Sequence, residues 1–253
     1  MIVLETVAVA FSMFSAIPMP QFSWNERNMR YSLCAFPLVG AAIAACMFFW
    51  EKLCLLLSLP VILRGAGLCV LPVLITGGIH LDGYCDTCDA LASHSDQDKR
   101  REIMKDPHLG AFAAIRLCAY FLADFALWTA APTLHLPVLT GVFCLTRSLS
   151  GLALTVFPIR PGSGLARSFA EAAERKRVRN VLLVLSAALA LLLVFFHSGE
   201  TVIAALLVFW YYRRLCVKDF GGLSGDLAGW FLQTAELWML LALVLRYYVE
   251  GVL

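Results

Sequence analysis

The sequence predicts an all-α fold: a polytopic membrane bundle of about seven spanning helices, preceded by an N-terminal apolar segment. Three observations predict it. The first is composition, with 60% of 253 residues hydrophobic and 15% charged at a mean hydropathy of +0.78. Soluble domains carry about 45–50% apolar and about 25% charged residues, so a water-soluble enzyme, a disordered chain and a secreted disulfide scaffold are all excluded. The second is the recurrence of apolar runs of spanning length. The third is an uneven distribution of Lys and Arg between alternate loops.

A span needs about 20 largely apolar residues. Residues 1–20 are apolar but contain Glu5 and end in Ile17-Pro18-Met19-Pro20, so they either span or lie half-buried or re-entrant. They lack a basic leader, and no cleaved signal peptide is expected. Spans are expected at 31–50, 65–81, 111–131, 138–159, 181–197, 202–215 and 230–249. With no internal repeat or low-complexity tract, residues 1–253 read as one membrane-embedded domain. The nine cysteines mostly sit in apolar runs, where the thiol behaves as a small hydrophobe. Cys85-x2-Cys88 has no second such pair, which argues against a zinc site.

Alternating these spans places loops 21–30, 82–110, 160–180 and 213–229 on one side, with 15 of the chain's 20 Lys and Arg. The positive-inside rule makes that side cytoplasmic. A net charge of +2 gives no reason to expect nucleic acid as a partner.

Seven of the 18 acids fall between residues 82 and 106: Asp82, Asp86, Asp89, Asp96, Asp98, Glu102 and Asp106. Positions 82, 86 and 89 share one face of a helix, directly after an apolar run. Like charges so placed call for a cation, and oxygen ligands suit Mg²⁺, which binds one or two carboxylates together with substrate phosphates. Asp82, Asp86 and Asp89 are therefore expected to hold the metal and serve catalysis on a phosphorylated substrate. Asp96 and Asp98 read instead as solvated neighbours of Lys99, Arg100 and Arg101. Glu102 and Asp106 can join the cluster or remain solvated, and Lys105 either meets a phosphate or pairs locally. His80 either binds a ligand or caps the helix.

Arg147 sits in a strongly apolar segment, where a charge is costly and faces a cavity or a partner; its planar fork suits phosphate. Gly221-Gly222-Leu223-Ser224-Gly225-Asp226 opens a helix, a setting whose backbone amides suit phosphate. It places Gly222 and Gly225 at the substrate and Asp226 as a further metal ligand. Glu236 is expected to face the interior. Arg116 and Asp124, two turns apart, either pair within the membrane or snorkel separately. The basic loop 160–180 reads as a surface for anionic lipid head groups, with contact to a nucleotide phosphate as the lesser reading.

These motifs resemble the cobalamin synthase family (adenosylcobinamide-GDP ribazoletransferases). Gly77-Gly78-Ile79-His80-Leu81-Asp82-Gly83-x2-Asp86-Thr87-Cys88-Asp89 is similar to its signature, and Glu102-Ile103-Met104-Lys105-Asp106-x3-Gly110 to its next block. Thr146-Arg147 and Gly221-Gly222-x2-Gly225-Asp226-x2-Gly229 with Glu236-Leu237 follow in the family's order. The resemblance implies a bacterial cytoplasmic-membrane transferase of the late cobalamin pathway. It would join adenosylcobinamide-GDP to α-ribazole or its 5′-phosphate and release GMP. For that reaction Mg²⁺ on Asp82, Asp86 and Asp89 is expected to neutralise the leaving GMP, and a carboxylate, Asp89 by preference, to take the proton of the attacking hydroxyl. A homo-oligomer is left open. Ser15-Ala16, Ala90 and Pro107-His108 depart from the family's usual Thr-Arg, Gly and Ser-Arg, so the resemblance carries no phosphate-binding arginine to the first and last of these places. Rival readings fit less well. A CDP-alcohol phosphotransferase would need Ala-Arg after Asp82-Gly83, an aromatic prenyltransferase a second aspartate-rich block, and a transporter repeated halves.

Overall fold

In lipid every backbone amide must find a partner within the protein, so apolar runs free of breakers become long helices. The computed structural model describes residues 2–162 and 164–251, with the backbone alone at Leu165. Among them are α1 (Ile2–Phe14), α2 (Glu26–Met29), α3 (Ser32–Leu56), α4 (Val61–Thr76), α5 (Ile79–Ala92) and α6 (Gln97–Ile103). There follow α7 (Ala111–Ala130), α8 (Leu136–Val156), α9 (Gly164–Ala172), α10 (Arg175–Phe195), α11 (Gly199–Asp219) and α12 (Gly225–Glu250). The chain is a multi-pass helical membrane protein, as expected. Among the described residues, five helices can cross by length and composition (α3, α7, α8, α10 and α12), or six if α4 and α5 count as one bent span.

Each of the seven expected spans falls on a helix, with two differences. The run at 65–81 does not continue as one helix: Gly77 and Gly78 take left-handed φ of 66° and 79°, and the chain turns 95° between α4 and α5. Glycine adopts that conformation without a Cβ penalty. The run at 202–215 lies in α11, but Glu200, Arg213, Arg214, Lys218 and Asp219 leave it too charged to qualify. At the N-terminus, α1 has 13 residues, about 20 Å at 1.5 Å per residue, short of a hydrocarbon core about 30 Å thick. It packs on α3, and Ala16 N donates to Ile75 O at 2.7 Å, pinning the chain beyond α1 to the end of α4.

The buried centre is α8, enclosed along nearly its whole length by α3, α10 and α12. Gly40 on α3 permits the closest approach, since a Cβ there would stand 2.4 Å from Phe143 O. The outer faces of α7 and α10 present large apolar side chains such as Leu122, Val184, Leu191 and Phe195, a surface suited to lipid. At the end of the bundle remote from the acids, Arg64 is buried against Glu51, with Nη2 to Oε1 at 2.8 Å. The same guanidinium donates to Ala131 O and Pro132 O, each at 3.0 Å, which closes the end of α7.

Candidate active site at the acid-bearing end of the bundle

Two helices meet here without side chains between them. A Cβ on Gly83 of α5 would lie 2.6 Å from Asp226 Cα, and one on Gly229 of α12 would lie 2.7 Å from His80 O. The bare backbones therefore touch, and Asp226 enters the surroundings of Asp82 and Asp86. Asp82, Asp226 and Asp89 are the charges that act on Asp86. Asp82 is exposed, while Asp86, Asp89 and Asp226 are half-buried. Among the described residues, neither Asp82 nor Asp86 has a cation within salt-bridge distance.

Asp89 is engaged differently. Its Oδ2 accepts from Gly110 N at 2.7 Å and its Oδ1 from Ala113 N at 2.8 Å. It thus caps α7, whose exposed N-terminal amides favour a carboxylate. Gly110 must be glycine for this, because a Cβ would stand 2.3 Å from Asp89 Oδ2.

The glycine-rich loop is shaped by Gly221 and Gly222, at φ of 66° and 144°. Leu223 N donates to Pro158 O at 2.8 Å and Arg160 N to Leu223 O at 2.9 Å, an isolated parallel bridge that ties the loop to the segment after α8. A Cβ on Gly222 would stand 2.6 Å from Arg160 N. The amides of Gly222 and Leu223 are thus spent inside the protein, on Cys216 O and Pro158 O. Gly225 borders open space, and Ser224 Oγ accepts from Leu227 N to cap α12. The bridge also brings Arg160, 6% exposed, into the field of Asp226. Burial lowers the Arg160 pKa from its usual value, and Asp226 acts against that shift. Sequence reasoning missed Arg160 as a site residue. The only available sign was a cation placed immediately after an expected span, at the end that carries the acids.

The block at 102–106 lies at the rim. Glu102 pairs with Lys99 at 2.9 Å, both exposed, and Lys105 is exposed. Asp106 accepts from His108 N at 3.0 Å and meets its Nδ1 at 2.7 Å, contacts that hold its pKa below the usual carboxylate value. The structure does not bring these residues into the acid cluster. The basic residues of α6 instead fasten it to the end of α11: Arg100 pairs with Asp219 at 2.5 Å, and Arg101 Nε donates to Phe220 O at 3.1 Å.

Arg147 is 1% exposed and pairs through Nη1 with Glu236 Oε1. The same Nη1 donates to Phe143 O at 3.1 Å, and Thr146 Oγ1 donates to Glu236 Oε1 at 2.9 Å. The charge in the apolar segment has found a partner on α12. His80 does not cap α5, which has no side-chain cap. Its ring is buried 6.0 Å from that of Phe36, and its Nε2 has no partner among the described residues. Arg116 is exposed and Asp124 buried; they form no ion pair among the described residues.

Among the described residues, no three Asp, Glu, His or Cys side chains stand close enough to share one metal ion. The donor chemistry nonetheless suits a hard cation. Asp82 and Asp86 offer uncommitted oxygens beside Asp226, and Mg²⁺ takes much of its coordination from water and substrate phosphate.

The fold and this mouth define a class: a polytopic helical membrane protein with carboxylates from two distant motifs, and the buried Arg160, gathered at one end. A family model described as cobalamin-5-phosphate synthase matches residues 6–244. An adenosylcobinamide-GDP ribazoletransferase of Lachnoclostridium phytofermentans is 41% identical over 99% of this chain and 96% of its own length. Proteins of the same name from Pseudomonas putida and Clostridium botulinum are 36% and 30% identical, over 94% and 90% of the chain and 97% and 92% of their own lengths. No solved structure matches. The chain belongs to the cobalamin-5-phosphate synthase family, and is a transferase of cobalamin synthesis.

Proposed function

We propose that the acid-bearing mouth transfers the adenosylcobinamide phosphate of adenosylcobinamide-GDP to α-ribazole or its 5′-phosphate. A ribose hydroxyl of the acceptor forms the new O–P bond, the pyrophosphate linkage breaks, and GMP departs with the corresponding cobalamin or cobalamin phosphate as product. The observation that carries this reading is the contact of Gly83 with Asp226, which gathers acids from two distant motifs at one place. The Lys and Arg asymmetry supports a cytoplasmic position for this mouth, in a bacterial cytoplasmic membrane.

Carboxylates of Asp82, Asp86 and Asp226, one or two at a time with water and substrate phosphate as the other ligands, would hold Mg²⁺, which when bound supplies charge neutralisation at the pyrophosphate. Asp82 and Asp86 also have oxygens free to accept the proton of the attacking hydroxyl. Asp89 is less suited to that transfer, because both of its oxygens already accept backbone amides; its part is to hold the start of α7 against α5. Arg147 serves by fixing α8 to α12 through Glu236, which sets the position of the α12 N-terminus and of Asp226.

The test uses protein returned from detergent to liposomes and supplied with adenosylcobinamide-GDP and α-ribazole, with Mg²⁺ or with EDTA. Mg²⁺-dependent release of GMP together with the new corrinoid is expected. Absence of both products from folded protein would overturn the reading.

A further inference from the structure

The segment Ile159–Pro161 and helix α9 enclose a pocket of 340 Å³ that the reaction as described does not use. Its charged lining is Arg160, Arg167, Arg175 and Glu171, three cations against one anion. Glu171 is committed to Arg167, with Nε to Oε1 at 2.6 Å. Among the described residues Arg175 donates only at 3.4 Å, to Ala170 O. Arg160 has no carboxylate within salt-bridge distance among the described residues. Its side-chain contact is Met104 Sδ, at 3.6 Å from Nη1.

A buried guanidinium without an anion is costly to the fold, and the usual resolution is a paired ligand or side chain. The arginine fork matches the oxygens of a phosphate two at a time. The hydrogen bond that holds Arg160 N to Leu223 O belongs to the same bridge that positions the loop before Asp226, so the pocket and the acid cluster are placed by one piece of backbone. A volume of 340 Å³ lies in the range of small-ligand sites, about 300–1,000 Å³.

We propose that this pocket is a phosphate-monoester subsite, in which Arg160 and Arg175 grip the terminal phosphate of a nucleotide-type ligand lying beside Asp226. The inference rests on the function proposed above and extends it. Two ligands of that reaction carry such a phosphate: the phosphorylated acceptor, α-ribazole 5′-phosphate, and the departing GMP.

The experiment measures binding to purified protein in detergent without any corrinoid, so it does not depend on turnover. Thermal shift is recorded with GMP, α-ribazole 5′-phosphate, unphosphorylated α-ribazole and inorganic phosphate. In Arg160→Gln and in Arg175→Gln, affinity for one of the two phosphate monoesters falls about tenfold or more, the loss expected when a charge-assisted hydrogen bond is removed. Arg160→Lys, which keeps the charge and loses the fork, recovers part of it. Arg175 is exposed, so its variant keeps the test valid if Arg160→Gln fails to fold. A kinetic arm then separates the sources. If the pocket serves the acceptor, the ratio of kcat/KM for phosphorylated over unphosphorylated α-ribazole falls about tenfold, in step with the lost affinity. If it serves the nucleotide, the inhibition constant of GMP rises by a similar factor. Unaltered affinity for both monoesters in both variants would overturn the subsite, and so would a loss confined to co-purifying anionic lipid. Lost monoester binding in an enzyme that makes no cobalamin would uphold the subsite and remove the reaction assigned to it.

Discussion

Gly83 rests directly on the backbone of Asp226, with room for no Cβ between them: one built there would lie 2.6 Å from Asp226 Cα and 2.7 Å from its carbonyl oxygen. This contact joins a motif in the first half of the chain to one near its end, and the acids of both depend on it.

Gly83→Ala forces α5 away from α12, because the clash is with backbone that no side-chain rotation can relieve. Overpacking of this kind costs about 1–3 kcal/mol. A lower melting temperature in detergent is expected, with turnover falling further than the loss of folded protein explains. Gly229→Ala, which meets His80 O at 2.7 Å, should behave alike. GMP release normalised to folded protein checks both.

Asp86 and Asp89 stand three positions apart on α5, yet their substitution should read out differently. Asp89→Ala removes the acceptors of Gly110 N and Ala113 N, and loss of a helix cap costs about 0.5–2 kcal/mol. Asp86→Asn removes a charge that sits among like charges without a cation, so in EDTA its melting temperature should equal or exceed that of the parent protein. Thermal melts of the two variants with and without Mg²⁺ make the comparison; equal destabilisation of both would contradict the division of roles.

Arg147 and Glu236 form a buried pair, and removal of one partner from such a pair costs about 3–5 kcal/mol. Arg147→Met and Glu236→Leu should each destabilise by that order, and the double variant by less than their sum. A double-mutant cycle in denaturant measures the coupling. Additive losses would mean that Arg147 has its partner elsewhere, as a direct substrate contact would require.

Glu51 and Arg64 offer a control at the other end of the bundle. Glu51→Leu leaves Arg64 buried with only the Trp128, Ala131 and Pro132 carbonyls as acceptors, and a loss of about 3 kcal/mol follows. Activity per folded molecule should persist, because the pair lies far from the acids. A matched series of unfolding curves and GMP assays distinguishes the two effects.

The spans were legible because lipid demands about 20 apolar residues in a row, a long and strong signal. The break at Gly77-Gly78 was less so, since Ile79 and Leu81 carry the apolar run past the bend. The spacing of Asp82, Asp86 and Asp89 marked one helix face correctly. It did not reveal that Asp89 turns to the start of α7, because its partners Gly110 and Ala113 lie 21 and 24 residues on. Arg147 was visible as an anomaly, but its partner is 89 residues away and nothing local names it. Arg160 was hidden among surface arginines. Only the bridge to Leu223 shows that this one is drawn inward.

The most direct measurement of the central claim, that carboxylates from α5 and α12 form one site, is GMP release by Asp86→Asn and by Asp226→Asn in liposomes. Each variant is first shown to be folded and inserted, and each is titrated with Mg²⁺. Both variants are expected to lose about a hundredfold or more in turnover, the upper range for disturbing a metal site, and to need more Mg²⁺ for what activity remains. Normal turnover and an unchanged Mg²⁺ requirement in either variant would contradict the shared site.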